Sequence, residues 1–206
     1  MKRKAASGMM LTLLLISMMH FAASNSVARA SSFNSDLLSY GVSGETEDWW
    51  RMFRHDPNHT GNSTSVVHEY IKSLWNYTTD GGVRCSPAVV YDKVFVGSED
   101  GYVYALKATA HELIKKSRDN IGEVVSSPAV VDGRVFVGSI NGSVYALDET
   151  TLEVIWNFPT NDTVISSPAV ADGKVFVGSL DHHVYALNAT TDKQTERKIW
   201  SNTTYG

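Results

Sequence analysis

One phrase written three times limits this chain more than any other feature. Cys85-Ser86-Pro87-Ala88-Val89-Val90, Ser126-Ser127-Pro128-Ala129-Val130-Val131 and Ser166-Ser167-Pro168-Ala169-Val170-Ala171 are each followed by Val-Phe-Val-Gly-Ser and then Val-Tyr-Ala-Leu. The prolines at 87, 128 and 168 set a period of 41 and then 40 residues. A period near 40 built from short apolar runs predicts an all-β fold, a β-propeller with one four-stranded antiparallel blade per unit.

The central unit shows how each blade is laid out. Val124 to Val131 reads as a strand, Asp132-Gly133 as a tight hairpin, Arg134 to Gly138 as a strand, Asn141-Gly142 as a second hairpin, and Val144 to Leu147 and Glu153 to Phe158 as the last two strands. Asp-Gly and Asn-Gly tolerate the positive φ that two-residue hairpins require. The third unit repeats the plan with Asp172-Gly173 and Asp181-His182, and the first with Asp92-Lys93 and Asp100-Gly101. Val-Phe-Val and Val-Tyr-Ala-Leu are apolar at consecutive positions, so both faces of each sheet must be covered, as stacked blades achieve. About three repeats leave two blade faces open where a closed ring needs about four to eight blades. The expectation is an incomplete ring, a piece of a longer protein, rather than a short form that assembles with other copies.

Residues 1–30 read as a secretory signal peptide: Lys2-Arg3-Lys4, an apolar run from Met9 to Ala23, and Ala28-Arg29-Ala30 at the cleavage site. The run is too short and too often broken by Thr12, Ser17 and His20 for a membrane anchor, so no membrane span is expected after cleavage. Residues 31–47 follow as a flexible leader and residues 48–74 as an aromatic lead-in, then the propeller repeats over 75–206, divided at about 75–115, 116–155 and 156–206. Trp75 precedes Pro87 by 12 residues, as Trp156 precedes Pro168. That offset assigns Trp75 to the last strand of a blade whose other strands come from elsewhere.

Cleavage after Ala30 removes four basic residues and no acidic ones, taking the formal charge from −4 to −8. So acidic a chain repels phosphate backbones, which argues against a nucleic-acid partner. Seven of the eleven asparagines stand in N-x-S/T sequons, at Asn58, Asn62, Asn76, Asn141, Asn161, Asn188 and Asn202, a pattern that fits a secreted or cell-surface glycoprotein. The single cysteine, Cys85, stands where Ser126 and Ser166 stand in the later repeats and reads as a small buried residue.

The stretch Ala146-Leu147-Asp148-Glu149-Thr150-Thr151-Leu152-Glu153-Val154-Ile155-Trp156 resembles the A-x-D-x-x-T-G-K-x-x-W motif of pyrroloquinoline-quinone-type propeller repeats. Ala146, Asp148, Thr151 and Trp156 match, while Leu152 and Glu153 replace the Gly and Lys. The third repeat keeps Ala186, Thr191 and Lys193, has Asn188 for the Asp, and reaches Trp200 after an insertion; the first has Lys107 for the Asp and Lys115 for the Trp. The resemblance implies that the Trp packs between blades and that the Asp and Thr tie down the turn before the last strand. It extends over Trp49 to Trp200 and implies fold far more than activity, since the family includes both quinoprotein dehydrogenases and propellers without a cofactor.

Candidate chemistry is sparse. His55, Asp56, His59 and His68 suggest a metal cluster, but Pro57 favours a turn over a helical His55–His59 pair, and His182-His183 falls at a hairpin tip. No nucleophile–base pair, phosphate loop, CxxC or HExxH occurs, so no catalytic or metal residue is assigned and cofactor-binding residues stay open. Two expectations follow. The first is an exported, non-catalytic propeller that presents blade-end loops to a protein or carbohydrate ligand as a binding or assembly module. The alternative is the N-terminal part of a dehydrogenase that uses pyrroloquinoline quinone and calcium; a ligand-sensing ectodomain is a weaker third.

Overall fold

The computed structural model describes residues 49–58, 60–61, 73–191 and 193–204. The expected signal peptide and leader, His59, His68 and the sequon at Asn62 lie outside them.

Twelve strands form three four-stranded antiparallel meanders. The first holds β1 (Ala88–Val90), β2 (Lys93–Gly97), β3 (Val103–Lys107) and β4 (Leu113–Lys116), and the second β5 (Ala129–Val131), β6 (Arg134–Gly138), β7 (Ser143–Asp148) and β8 (Val154–Pro159). The third holds β9 (Ala169–Ala171), β10 (Lys174–Ser179), β11 (His183–Asn188) and β12 (Lys198–Thr203). Each is one propeller blade. Register repeats as faithfully as sequence: Val137 faces Tyr145 as Val96 faces Tyr104 and Val177 faces Tyr185, and each blade shifts register at its Ala-Leu pair.

Two details depart from the sequence expectation. Val124 to Pro128 is not strand, because Pro128 has no N–H to donate and the Ser126 hydroxyl takes up the Gly138 N–H and carbonyl at 2.7 and 2.9 Å. The first hairpin turns at Tyr91-Asp92 (φ 49° and 60°), with Lys93 already in β2, one residue before the expected pair.

The blades are joined along their inner strands. The Ser86 N–H donates to the Ser127 hydroxyl at 2.9 Å and the Ser127 N–H to the Ser167 hydroxyl at 3.0 Å. Each Ser-Ser-Pro phrase is thus a staple that reaches from one blade to the next. The glycine of Val-Phe-Val-Gly-Ser has an equally specific cause: a Cβ on Gly97 would overlap Val124, and one on Gly138 would overlap Val164, each carried by the next inter-blade connection. Phe95 and Val103 of the first unit and Val124 of the connection that follows it bury with Val135, Leu147 and Leu152 of the second, while Phe136 and Trp156 bury with Val175, Tyr185 and Leu187 of the third. Both faces of the middle blade are therefore core, which is why its strands are apolar at successive positions.

The lead-in crosses the free edges of the inner strands. The Trp50 carbonyl accepts the Val89 N–H at 2.7 Å and the Arg51 carbonyl accepts the Val130 N–H at 2.8 Å, supplying partners that no strand provides. Met52 then enters the core beside Phe136.

Candidate functional site

The β2–β3 type of turn and the connection leaving each fourth strand lie at one end of the blades. Here the turn residue at each hairpin tip meets a tyrosine four positions later. Asp181 accepts the His183 N–H at 3.0 Å, the Tyr185 hydroxyl at 2.6 Å and, from the preceding blade, the Asn161 N–H at 3.0 Å. Asp100 repeats the set with the Tyr102 N–H at 3.1 Å, the Tyr104 hydroxyl at 2.5 Å and the Asp80 N–H at 3.1 Å. Burial pushes both carboxyls up, but these donors outweigh it and hold them below the usual carboxylate range. The same contact, added to burial, pushes Tyr185 up to about 12.

Asn141 is the variation that shows the logic. Its oxygen accepts the Ser143 N–H at 3.0 Å, and its amide nitrogen donates to the Tyr145 hydroxyl and the Ile121 carbonyl, both at 2.7 Å. An amide can offer donors where a carboxylate offers none, so the inter-blade bond reverses direction and survives. These groups are consumed in fastening blade to blade.

What this end leaves open is a polar cleft that includes the Asp162 carboxylate, with apolar side chains around it. A cleft of about 260 Å³ is lined by Ile140, Asn141, Gly142 and residues 160–163. Ile140, Ile165 and Leu180 are exposed around it, linked through Thr163, whose hydroxyl donates to the Ile140 carbonyl at 3.1 Å and whose carbonyl accepts the Leu180 N–H at 2.9 Å. In the first blade the equivalent positions of Ile140 and Ile165 are Glu99 and Arg84, which form an ion pair. Ile140, Ile165 and Leu180 thus belong to the second and third blades.

At the other end the turn before the last strand of the second and third blades is tied down by one acceptor. Asp148 Oδ1 accepts the Thr150 and Thr151 N–H groups at 2.9 and 2.8 Å, and Asn188 Oδ1 accepts those of Thr190 and Thr191 at 2.9 and 3.0 Å. Leu152, standing where the motif has Gly, adopts φ 53°. The motif's Asp, Thr and Gly are thus accounted for by turn geometry, and Trp156 lies buried against the next blade with the Arg197 guanidinium 4.0 Å over its ring. The turn and the buried Trp are those that the resemblance to pyrroloquinoline-quinone-type propeller repeats implies.

Comparisons agree with that assignment. A family model described as outer membrane protein assembly factor BamB matches residues 115–204. BamB from Moraxella catarrhalis is similar in structure at 17% identity and TM-score 0.52, over 63% of this chain and 39% of that one. The quinohemoprotein alcohol dehydrogenase ADHIIG from Pseudomonas putida HK5 is similar at 22% identity and TM-score 0.59, over 76% and 26%. The quinohemoprotein alcohol dehydrogenase from Comamonas testosteroni is similar at 21% identity and TM-score 0.63, over 88% and 30%. The chain therefore spans about a quarter to two fifths of these structures, and likeness at this identity shows the fold. No curated protein sequence matches the chain.

The lining of this cleft does not fit a quinone. The quinone carries three carboxylates that call for cationic partners, and no Lys, Arg or His lines the cleft. Among the described residues no three of His, Cys, Asp and Glu converge as a metal site. His55 instead belongs to a turn in which its ring meets Asp56 at 3.4 Å, and His183 Nδ1 lies 2.9 Å from the Asp181 carbonyl. Cys85 takes the serine role, its sulfur 3.2 Å from the Gly97 nitrogen and 3.5 Å from its carbonyl oxygen, and burial pushes its thiol up, away from reactivity. Sequence reasoning had not singled out Ile140, Ile165, Leu180 or the Asp–Tyr locks; a four-residue spacing from hairpin Asp or Asn to Tyr, present in all three repeats, was the available signal.

Proposed function

We propose that this chain is an exported, non-catalytic binding or assembly module that docks a protein partner on the blade-end surface around Ile140, Ile165 and Leu180. One observation carries the proposal. At that end every recurring ionisable group is fastened into blade packing, whereas exposed apolar side chains flank an open cleft. A cluster of that kind rimmed by polar turns is the chemistry of a protein interface rather than of a reaction. The match to the BamB model supports the same reading. The sequons and the basic, apolar N-terminus support export to the cell surface, with carbohydrate as a less favoured ligand.

The test places a photocrosslinking residue at Ile140 or Leu180, and at Asp132 or Asp172 on the opposite end, in the protein's own cells. Adducts with one discrete protein from the first pair and none from the second are expected. Equal labelling from both ends, or quinone-dependent alcohol oxidation by the purified chain, would reject the proposal.

A further inference from the structure

We infer, on the reading that the chain is exported and docks a partner at this end, that Asn161 carries an N-linked glycan which closes the cleft to that partner, while Asn141 on the same cleft stays bare. Seven of the eleven asparagines stand in sequons, where Ser and Thr at about one residue in five would place about two. Exposure and hydrogen bonding separate the two that line this cleft. Asn161 is exposed, and among the described residues its side-chain amide takes part in no hydrogen bond, the residue being held by its backbone N–H on Asp181. Asn58, Asn76 and Asn202 are exposed too, and none of the three lines the cleft.

The preceding connection shows why that amide is free. Asn120 stands 41 residues earlier, and there the side chain is spent on packing: its nitrogen donates to the Asp100 carbonyl at 2.9 Å and its oxygen accepts the Gly122 N–H at 3.0 Å. After the next blade Thr160 takes over that task, its hydroxyl meeting the Gly142 carbonyl at 2.8 Å and the Asp162 carbonyl at 2.6 Å. The asparagine is thereby released to solvent, and it heads the sequon Asn161-Asp162-Thr163, whereas neither Asn120-Ile121-Gly122 nor Asp80-Gly81-Gly82 is one. Asn141 is the reverse case. Both protons of its amide are used, on the Ile121 carbonyl and the Tyr145 hydroxyl at 2.7 Å, and the Ser143 that completes its sequon is 8% exposed. A glycan there would remove one of the two protons and with it one of the two bonds.

The sugar comes from a lipid-linked oligosaccharide phosphate. The Asn161 amide nitrogen bonds to the anomeric carbon as the bond from that carbon to the phosphate oxygen breaks; the lipid phosphate leaves with the electron pair, the amide proton passes to a base, and nothing is oxidised or reduced. Position decides the consequence. Residues 160–163 line the cleft, and Thr163, two residues beyond the acceptor, is the residue that links Ile140 and Leu180. A hydrated oligosaccharide rooted here takes up the space over those apolar side chains that a docked protein has to fill.

Glycopeptide mapping of the protein from its own cells tests this, with chymotryptic cleavage after Tyr145 and Trp156 to separate the two sequons. The Asn161 peptide is expected to carry a sugar mass in most molecules and the Asn141 peptide none. The same digest shows whether residues 1–30 have been removed. A bare Asn161 in a processed chain, or a glycan on Asn141, would overturn the assignment and leave the docking site standing. A chain that keeps residues 1–30 and bears no sugar would overturn export and the glycan together. Adducts trapped through a photocrosslinking residue at Leu180 are expected to contain bare Asn161 only. Asn161→Gln is expected to raise their yield by the reciprocal of the bare fraction, about threefold where about two thirds of the molecules are modified. Adducts that carry the glycan in the same proportion as the unreacted chain would overturn the closure of the cleft. No adduct even from Asn161→Gln would overturn the docking site, and the closure with it, while the glycan assignment stands.

Discussion

The indole N–H of Trp75 donates to the carbonyl of Ala108 at 2.9 Å. Trp156 stands the same 33 residues before Ala189, yet its indole nitrogen is buried without an acceptor, because Arg134 has taken the Ala189 carbonyl. Arg134→Ala should release that carbonyl to the indole. The expected result is a downfield shift and slower exchange of the Trp156 indole proton by NMR, with stability changed by less than about 1 kcal/mol, one hydrogen bond replacing another. An unshifted indole proton would show that Trp156 cannot reach the carbonyl.

The repeats supply their own control for the serine clamp. Ser126 grips Gly138 through bonds of 2.7 and 2.9 Å in a fully buried setting, while Cys85 holds Gly97 through weaker sulfur contacts. Ser126→Ala strands a buried N–H and carbonyl and should cost about 2–4 kcal/mol in urea unfolding. Cys85→Ser should be neutral or stabilising by up to about 1 kcal/mol, since a hydroxyl bonds the same two groups at shorter range.

The outcome of sequence reading follows what each residue reports. Apolar runs, Asp-Gly and Asn-Gly pairs and the recurring Pro marked the blades because they encode strand and turn locally, by period and by φ. The strand expected over Val124 to Pro128 failed because its apolar residues are buried by the neighbouring blade rather than by ladder pairing. The staple from Ser86 to Ser127 was invisible for a related reason: it spans 41 residues and looks like simple repetition. Ile140, Ile165 and Leu180 read as ordinary variation among hairpin residues until the fold placed them together around Thr163.

Leu152 sets two effects against each other. Its φ of 53° costs a branched side chain about 1–2 kcal/mol, which explains the glycine of the family motif, but its side chain is fully buried between the first two blades. Truncating a buried leucine costs about 3–5 kcal/mol. Leu152→Gly should therefore destabilise by about 1–4 kcal/mol in urea unfolding, despite relieving the backbone and restoring the motif. A stabilised variant would show that the turn, not the core contact, dominates here.

The Asp–Tyr locks and the Asp148 turn contribute to the pH dependence of the fold. Asp100, Asp148 and Asp181 have carboxyls held below their unfolded values, so their contribution is complete above about pH 4 and is lost as pH falls through the lower folded values. Tyr185, pushed up to about 12, behaves in the opposite sense: its contribution is complete below its unfolded value near 10 and is lost as pH rises toward 12. Thermal unfolding should therefore be least dependent on these groups between about pH 5 and 9 and fall on both sides. Tyr185→Phe removes the tyrosine proton from the alkaline limb and one donor from Asp181, whose folded value then rises toward its unfolded one, so the fall above pH 10 and the fall at acid pH should both shrink. An unchanged profile in this variant would mean that the hydroxyl of Tyr185 contributes nothing to the stability of the third blade.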